Sequence, residues 1–236
     1  MLRFDLHVHS EYSRDCRSPV EEILRSARRQ GLNGIAVCDH DDPEGGRAAL
    51  ELAEKKEEFR DLTVIPGVEI STSEGHLLVL NPPCSIPPGL TPEETIRRIR
   101  EADVLRRAFI IIPHPYRKSA HGIGRIEGLD VDGVETFNSK NIFGNSNRKA
   151  ENEAERLDLP KTGGSDAHTP DLVGRCYTTI PLPASENNAE DVLKALREGR
   201  SGTGGKTTPV SSVIGQMMKN VIRRLKKAAK GDYREW

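Results

Sequence analysis

The apolar residues of this chain follow two different periods, and their alternation predicts the architecture. Residues 34–38 and 109–112 are uninterrupted apolar runs, which is typical of strands buried on both faces of a parallel sheet. Residues 20–27 instead carry apolar side chains at helical spacing, so that one face of a helix would be buried. The unit of strand, loop and helix recurs about seven times, which indicates a parallel α/β fold and favours a closed barrel over an open sheet.

Polar residues mark where the helices begin and end. Ser18 is placed to cap a helix whose first position is Pro19, with Glu21 completing a capping box. Gly31 is expected to end that helix. A second capping box begins at Thr91. Further strands are predicted at residues 2–9, 62–65, 67–70, 76–80, 133–137 and 177–180, and further helices at residues 42–58, 145–157 and 189–198.

The chain divides into three predicted parts. Residues 1–200 hold all the strand and helix units and are expected to form the barrel. Residues 201–209 are small and polar, which predicts a flexible linker. Residues 210–236 place apolar side chains on one face of a helix and Lys and Arg on the other. This basic amphipathic helix either packs on the barrel or contacts an acidic partner, nucleic acid or anionic lipid.

Composition excludes several classes of protein. The chain has 236 residues, with 35 Lys and Arg against 36 Asp and Glu, so net charge provides no drive toward nucleic acid or membranes. No glycine-rich dinucleotide fingerprint or P-loop is present. None of the four cysteines is close to another in sequence, which argues against a zinc ribbon.

The same composition predicts a cytoplasmic protein. No apolar stretch approaches the ~20 residues needed to span a bilayer. Met1 leads directly into the first predicted strand, so no signal peptide is expected. With reduced thiols, the cytoplasm is the simplest location.

The histidines carry the strongest chemical signal. His7 and His9 lie on one face of the first strand, because side chains alternate along a strand. Their positions are about 7 Å apart, so both imidazoles could turn onto one cation. Most other candidates lie at or near predicted strand ends, and such positions converge on one rim in a parallel barrel. These candidates are His40, Glu69, His76, His114, Asp166 and His168, whereas His121 falls in a plain loop.

The mixture of ligand types points to a multinuclear metal site. Imidazoles and carboxylates without thiolate suit Mn²⁺, Fe²⁺ or Zn²⁺, and the sequence does not choose among them. About eight ligands are too many for one ion, whereas two or three ions that share bridging carboxylates would use them. Such a cluster generates hydroxide at neutral pH and holds the oxygens of a phosphoryl group.

The chain resembles the PHP (polymerase and histidinol phosphatase) family of metal-dependent phosphoesterases. The resemblance lies in residues 5–10, 38–41, 67–71, 114–115 and 164–168, which spell DLHVHS, CDHD, GVEIS, HP and GSDAH in the family's order. It implies a distorted (β/α)₇ barrel, a TIM-like fold, with two or three metal ions at the carboxyl rim of the strands. The chain is too short to include a polymerase.

The resemblance also implies roles for particular residues. Glu69, Asp166 and His168 are expected to act in catalysis as well as in metal binding. The first metal would be held by His7, His9, Glu69 and Asp166, another by Asp15, His40 and His168, and a third by Glu69, His76 and His114. Asp39 and Asp41 are expected to support these ligands or to cap backbone groups.

Positive groups are needed to bind phosphate. Arg117 and Lys118, just after His114, are the best placed in the sequence. Glu135 and Asn138 are expected to line the pocket or to support ligands. Larger relatives carry an inserted helical domain between the positions that match His76 and His114.

In this chain the interval between His76 and His114 is short, and only a proline-rich loop and one helix are predicted to fill it. We therefore expect a less covered site, which could accept an oligonucleotide end or varied phosphomonoesters.

Three functions follow from these features. The first is hydrolysis of small phosphate monoesters or nucleotides by a metal-bridging hydroxide, with a metal-bound water or an unliganded histidine as proton donor. The second is a 5′ or 3′ exonuclease acting on RNA or DNA. The third is a non-catalytic module that binds metal or phosphate.

Overall fold

A mixed sheet of nine strands forms the core of the computed structural model, which describes residues 1–118 and 121–212. Along the sheet the strands run in the order β7-β6-β5-β4-β3-β2-β1-β8-β9. The strands are β1 (Leu2–Val8), β2 (Gly34–Val37), β3 (Thr63–Ser71), β4 (His76–Leu80), β5 (Phe109–Ile112), β6 (Gly133–Asn138), β7 (Lys161–Gly164), β8 (Cys176–Ile180) and β9 (Gly202–Gly205).

The sheet curls into a distorted, nearly closed barrel. The segment that follows β7 returns to the end of β1, where the Asp166 amide donates to the His7 carbonyl at 2.7 Å and the His9 amide donates to the Ala167 carbonyl at 2.9 Å. Val8 and Ala167 consequently form a parallel bridge. The predicted barrel of the PHP type is confirmed, and these bonds place the end of β7 beside the end of β1.

The sheet is not parallel throughout, which differs from the pattern expected of a repeated unit of strand, loop and helix. β4 runs antiparallel to both β3 and β5, and β8 runs antiparallel to β1. Residues 72–75 alone connect β3 to β4, and a parallel crossover needs a dozen residues or more. The short connection therefore forces a hairpin at this point.

Five α-helices and apolar clusters complete the described fold. The helices are α1 (Val20–Arg29), α2 (Glu44–Lys55), α3 (Pro92–Ala102), α4 (Ser146–Arg156) and α5 (Ala189–Arg197). Val192 and Leu196 of α5 share one buried cluster with Phe4 and Phe109 of the barrel interior. Arg197 donates to the carbonyls just before β5, so α5 covers the amino end of the barrel and leaves the carboxyl rim to the site.

The two predicted helix caps have different outcomes. Thr91 caps α3 as expected, since its hydroxyl accepts from the Glu94 amide at 3.2 Å. The prediction for Ser18 is wrong, because Pro19 occupies the capping position of α1 without a side-chain bond. The Ser18 hydroxyl instead donates to the His168 carbonyl at 3.1 Å. The Ser18 side chain therefore bonds to a backbone carbonyl that is distant in sequence and does not cap the helix that follows it.

The predicted flexible linker at residues 201–209 is wrong for its first half. Gly202–Gly205 pairs antiparallel with β8, and the Thr208 amide donates to the Ser139 carbonyl at 2.7 Å. Glycine permits this strand because a Cβ at Gly204 would lie 2.7 Å from the Tyr177 ring. The small residues of this segment therefore allow its backbone to pack closely against β8.

The predicted carboxyl-terminal helix falls almost wholly beyond the described ranges. Of residues 210–236 only 210–212 belong to the described part, and they are helical. Within residues 1–118 and 121–212, no helix combines the length and the apolar character that crossing a bilayer requires.

Candidate metal centre

Two histidines at the end of β1 begin the site. His7 and His9 are almost fully buried, and their Nε2 atoms lie 3.2 Å apart. The strand alone separates the two positions by roughly twice that distance, so the side chains turn toward each other. This separation of two imidazole nitrogens is compatible with two ligands on one ion.

The carboxylate of Glu69, which lies on β3, is the meeting point of the cluster. Its Oε2 atom lies 3.2 Å from the Nε2 atoms of both His7 and His9, and 3.4 Å from the Nδ1 of His40. Glu69 is 1% exposed. Three imidazoles from the ends of two strands and their loops therefore converge on one buried oxygen.

The second oxygen of Glu69 gathers two further histidines. Oε1 lies 2.8 Å from the Nδ1 of His76, at the start of β4, and 3.1 Å from the Nε2 of His114, just after β5. His76 reaches the same rim as the others because β4 is antiparallel, so that its first residue lies beside the last residue of β3. One glutamate thus bridges two groups of imidazoles.

Asp15, Asp166 and His168 form the other side of the site. The Oδ1 of Asp166 lies 3.5 Å from the Nε2 of His9. The Oδ2 of Asp15 lies 3.0 Å from the Nε2 of His168 and 3.8 Å from the Nε2 of His40. The structure therefore brings together all nine residues proposed as metal ligands, from positions 7 to 168.

Electrostatics keep the carboxylates of this cluster ionised. Burial by itself would raise the pKa of Glu69, but His7, His76 and His40 hold it well below its usual range. Burial would likewise raise the pKa of Asp166, which Lys140 and Arg117 instead lower well below its usual range. Ionised carboxylates are the form that binds cations.

Three of the proposed histidine ligands differ in pKa. Burial opposes protonation of His9, but the hydrogen bonds to Asp166 and Glu69 raise its pKa to about 9. Burial lowers the pKa of His40 to about 3, and burial together with Lys140 lowers the pKa of His168 to about 4. Neutral imidazole at His40 and His168 is ready to donate a lone pair to a metal.

Two of these residues have a backbone conformation that is unusual for side chains other than glycine. His114 has a φ of 31° and Asp166 a φ of 53°. The His114 amide donates to the Oε2 of Glu135 at 2.9 Å, and the Asp166 amide donates to β1 as described. Such strain is typical of residues held in place for function.

The donor set fits divalent metal ions. Four groups of three side chains each bring their ligand atoms within 4.8 Å of one another, and they draw on His7, His9, His40, Glu69, His76, His114, Glu135, Asp166 and His168. The Nδ1 of His40 is buried without a hydrogen-bond partner, which is costly unless another group satisfies it. Imidazole and carboxylate donors match the preferences of zinc, iron and manganese.

Residues around the cluster hold its members in position. The Oε1 of Glu135 lies 3.0 Å from the Nδ1 of His7, on the side of the ring opposite Glu69. The Oε2 of Glu135 accepts from Asn138 at 2.8 Å. Asp39 accepts from the amide and hydroxyl of Ser10, both at 2.6 Å. These contacts are the supporting roles expected for Glu135, Asn138 and Asp39.

The two predicted phosphate-binding residues differ in position. Arg117 donates to the Oδ2 of Asp166 at 2.9 Å and is 19% exposed at its side chain. Lys118 is exposed, and no ion pair within the described residues brings it to the cluster. Of the two predicted residues, Arg117 therefore contacts the cluster, whereas a phosphate-binding role of Lys118 stays a prediction.

A second cationic side chain, Lys140, lies against the cluster. Its Nζ lies 2.9 Å from the Oδ1 of Asp166 and 2.9 Å from the Nδ1 of His168. The sequence analysis missed it, although it lies two residues after β6, at the rim where parallel strands end. His121 was likewise assigned to a plain loop, yet its Nδ1 lies 3.2 Å from the Nε2 of His76.

Comparison with known protein families finds two matches in this chain. A model described as the PHP domain matches residues 5–109, and one described as PHP-associated matches residues 144–201. Together they contain eight of the nine residues proposed as ligands, and His114 lies in the interval between them.

Three known proteins illustrate the similarity. An uncharacterised protein of Methanocaldococcus jannaschii is 36% identical over 163 residues, which cover 64% of this chain and 91% of the relative. A 5′-3′ exoribonuclease of Haemophilus influenzae is 43% identical over 83 residues, or 34% of this chain and 28% of that enzyme.

The third is a solved structure. It is a two-domain protein from Bacteroides vulgatus that contains a predicted PHP-like metal-dependent phosphoesterase. It shares the fold with a TM-score of 0.65 at 19% identity, and the match covers 87% of this chain and 65% of that protein.

Proposed function

The chain belongs to the PHP family of metal-dependent phosphoesterases, and from this premise we propose that it hydrolyses small phosphate monoesters or nucleotides. The observation that carries the proposal is the convergence of five imidazoles on the single buried carboxylate of Glu69. Two cationic side chains, Arg117 and Lys140, lie against the neighbouring carboxylate of Asp166. Cation ligands and anion-binding groups therefore share one rim.

The proposed ligands would form three shells, two of which share Glu69. Glu69 would link two of them, because its two oxygens face different sets of histidines. Two or three divalent ions would be held in this way, with manganese, iron and zinc as candidates. The shells comprise His7, His9, Glu69 and Asp166; Asp15, His40 and His168; and Glu69, His76 and His114.

Ions held by this set would lower the pKa of water toward neutrality and screen the charge of a phosphoryl group. The chain itself orients the ligands. The carboxylate of Glu135 would accept the Nδ1 proton of His7, so that the Nε2 nitrogen, which faces Glu69, is left for a metal ion. Such a pairing of carboxylate and histidine fixes the tautomer of a metal ligand.

Arg117 and Lys140 would bind the phosphate oxygens. Both are partly exposed, at 19% and 24% of their side chains, so a substrate can reach them from solvent. The Arg117 guanidinium also donates to Asn138 and Asn141, which fixes its plane. A planar guanidinium and a mobile ammonium together suit the tetrahedral oxygens of a phosphate.

The test is an assay of metal-reconstituted protein on a panel of phosphoesters with Mn²⁺, Fe²⁺ or Zn²⁺. We expect turnover with at least one metal, and its loss in His7→Ala together with loss of bound metal. The control is Glu57→Ala, which removes an exposed carboxylate six residues before β3, at the amino end of that strand. Stoichiometric metal binding without turnover on any phosphoester would instead favour a non-catalytic binding module.

A second candidate, exonuclease activity on RNA or DNA, is favoured by the local similarity to the Haemophilus influenzae exoribonuclease. Only the loop at residues 81–91, α3 and residues 103–108 intervene between β4 and β5, and α3 packs on the outer side of the sheet through Ile96 and Ile99. The rim is therefore free of an inserted domain at this point. The test is release of single nucleotides from end-labelled RNA and DNA, and intact substrate after prolonged incubation would exclude this function.

A further inference from the structure

Two aromatic side chains are exposed beside the candidate metal centre. Tyr12 is 43% exposed and Phe143 is 72% exposed. The other large apolar residues exposed within residues 1–118 and 121–212 are aliphatic. Tyr12 lies on the loop that follows β1, and Phe143 lies on the loop that follows β6. Both loops leave the carboxyl rim that holds the proposed ligands.

The two loops approach the cluster from different sides of His168. The Nε2 of His168 faces the carboxylate of Asp15 at 3.0 Å, and its Nδ1 faces the ammonium of Lys140 at 2.9 Å. Asp15 belongs to the loop of Tyr12, and Lys140 belongs to the loop of Phe143. The imidazole of His168 thus separates the two aromatic loops.

Both aromatic residues are tethered close to these contacts. Tyr12 precedes Asp15 by three residues, and Phe143 follows Lys140 by three residues. Three residues span at most ~10 Å even when fully extended. The Tyr12 loop is shortened further by a bond from the Ser13 amide to the Ser10 carbonyl, and the other loop by a bond from the Ile142 amide to the Lys140 carbonyl.

We propose that Tyr12 and Phe143 form a stacking subsite for the nucleobase of a substrate whose phosphate binds Arg117 and Lys140. The inference rests on the proposed function and names the class of its substrate as a nucleotide. An exposed aromatic ring offers a flat apolar face, which a base covers and an aliphatic phosphate ester does not. Stacking of a base on an aromatic side chain contributes about 1–3 kcal/mol and tolerates any base.

The experiment compares AMP with ribose 5-phosphate on the metal-loaded protein. The two esters share a phosphate and a ribose, so their difference isolates the base. We expect a higher kcat/KM for AMP. Phe143→Ala and Tyr12→Ala should each lower kcat/KM for AMP by about 5- to 150-fold and change that for ribose 5-phosphate by less than about twofold.

Two further variants serve as matched controls. Phe143→Trp retains an aromatic face and should keep the preference for AMP. Leu105→Ala removes an equally exposed apolar side chain, at 70% exposure, from the loop before β5 at the opposite end of the barrel. It should leave both substrates unaffected.

Several outcomes would overturn the subsite. Equal kcat/KM for AMP and ribose 5-phosphate in the unmodified protein would show that the base is not bound. Equal losses on both esters in Phe143→Ala would show a structural role of the loop. If the protein hydrolyses no phosphoester, the proposed function fails. The subsite is then judged by calorimetric titration of AMP and ribose 5-phosphate, where equal affinities would refute it.

Discussion

The carboxylate of Glu135 orients the first proposed metal shell, and Glu135→Gln tests that role. Glu135 lies on β6 and is 3% exposed. Its Oε1 lies 3.0 Å from the Nδ1 of His7, and its Oε2 accepts from the His114 amide at 2.9 Å and from Asn138 at 2.8 Å. Glutamine has the same shape but replaces one of these acceptor oxygens with an NH₂ donor.

Glutamine cannot act as the acceptor in all three contacts. If the amide oxygen accepts from His114 and Asn138, the NH₂ group faces the Nδ1 of His7. His7 must then accept there and carry its proton on Nε2, the nitrogen that lies 3.2 Å from Glu69. A protonated Nε2 has no lone pair for a metal.

The expected loss is a 10- to 100-fold weaker metal affinity, roughly the effect of removing an outer partner of a histidine ligand. This corresponds to about 1.4–2.8 kcal/mol per ion. Without metal, loss of a charge-assisted hydrogen bond should cost about 1.5–3 kcal/mol of unfolding free energy. Both losses arise at one buried contact.

Affinity is measured by competition with a chromophoric chelator, and stability by urea denaturation of the metal-free protein. Glu51→Gln is the matched control, because Glu51 is an exposed glutamate of α2 that pairs with Lys55 one helical turn later. A Glu135→Gln protein that binds metal within twofold of the unmodified protein would refute the orienting role. An equal loss in Glu51→Gln would show that the effect is not specific to this contact.

The remaining predictions concern the phosphate-binding groups, close packing and pH. Lys140→Met should raise KM for phosphoesters at least tenfold, whereas Lys118→Met should leave it unchanged. A larger increase of KM in Lys118→Met than in Lys140→Met would instead favour Lys118 as the residue that binds phosphate. Gly164→Ala should weaken metal binding, since its Cβ would lie 2.4 Å from the Cβ of His7; chelator competition equal to that of the unmodified protein would contradict this. Burial raises the pKa of Asp5 to about 6, so the unfolded state loses this proton first as pH rises. The contribution of Asp5 to the unfolding free energy should therefore fall by about 3 kcal/mol between about pH 4 and 6 in the metal-free protein. It is measured as the difference between the urea-derived pH profiles of the unmodified protein and Asp5→Asn, and a difference that does not change over this range would contradict it.

Much of the fold could be predicted because many strands and helices follow from the local hydrophobic period and from capping residues, with no distant contact that overrides them. The apolar run at residues 109–112 became β5 with the predicted bounds, and the alternation at residues 2–9 became β1, which ends one residue earlier, at Val8. Thr91 caps α3 because its hydroxyl meets the nearby Glu94 amide and no distant group competes. In contrast, the direction of β4 followed from a connection of four residues whose shortness alone forbids a crossover.

The sequence analysis found candidates wherever a residue type and a strand end coincided. His7 and His9 emerged from the two-residue period of β1, and Asp166 and His168 from the same spacing after β7. Lys140 was missed because a lysine after a strand is common and carries no motif. Only its contacts with Asp166 and His168, residues 26 and 28 positions away in sequence, distinguish it.

By itself the sequence determined which side chains could bind metal and that strand ends would carry them, because these depend on residue chemistry and local period. Tertiary structure decided which atoms meet. Glu69 joins histidines from position 7 to position 114 because barrel closure brings distant strand ends to one rim. It also decided that Ser18 holds the His168 carbonyl and that Gly202–Gly205 forms a strand. Contacts between residues distant in sequence depend on the packing of the whole chain, which no local pattern specifies.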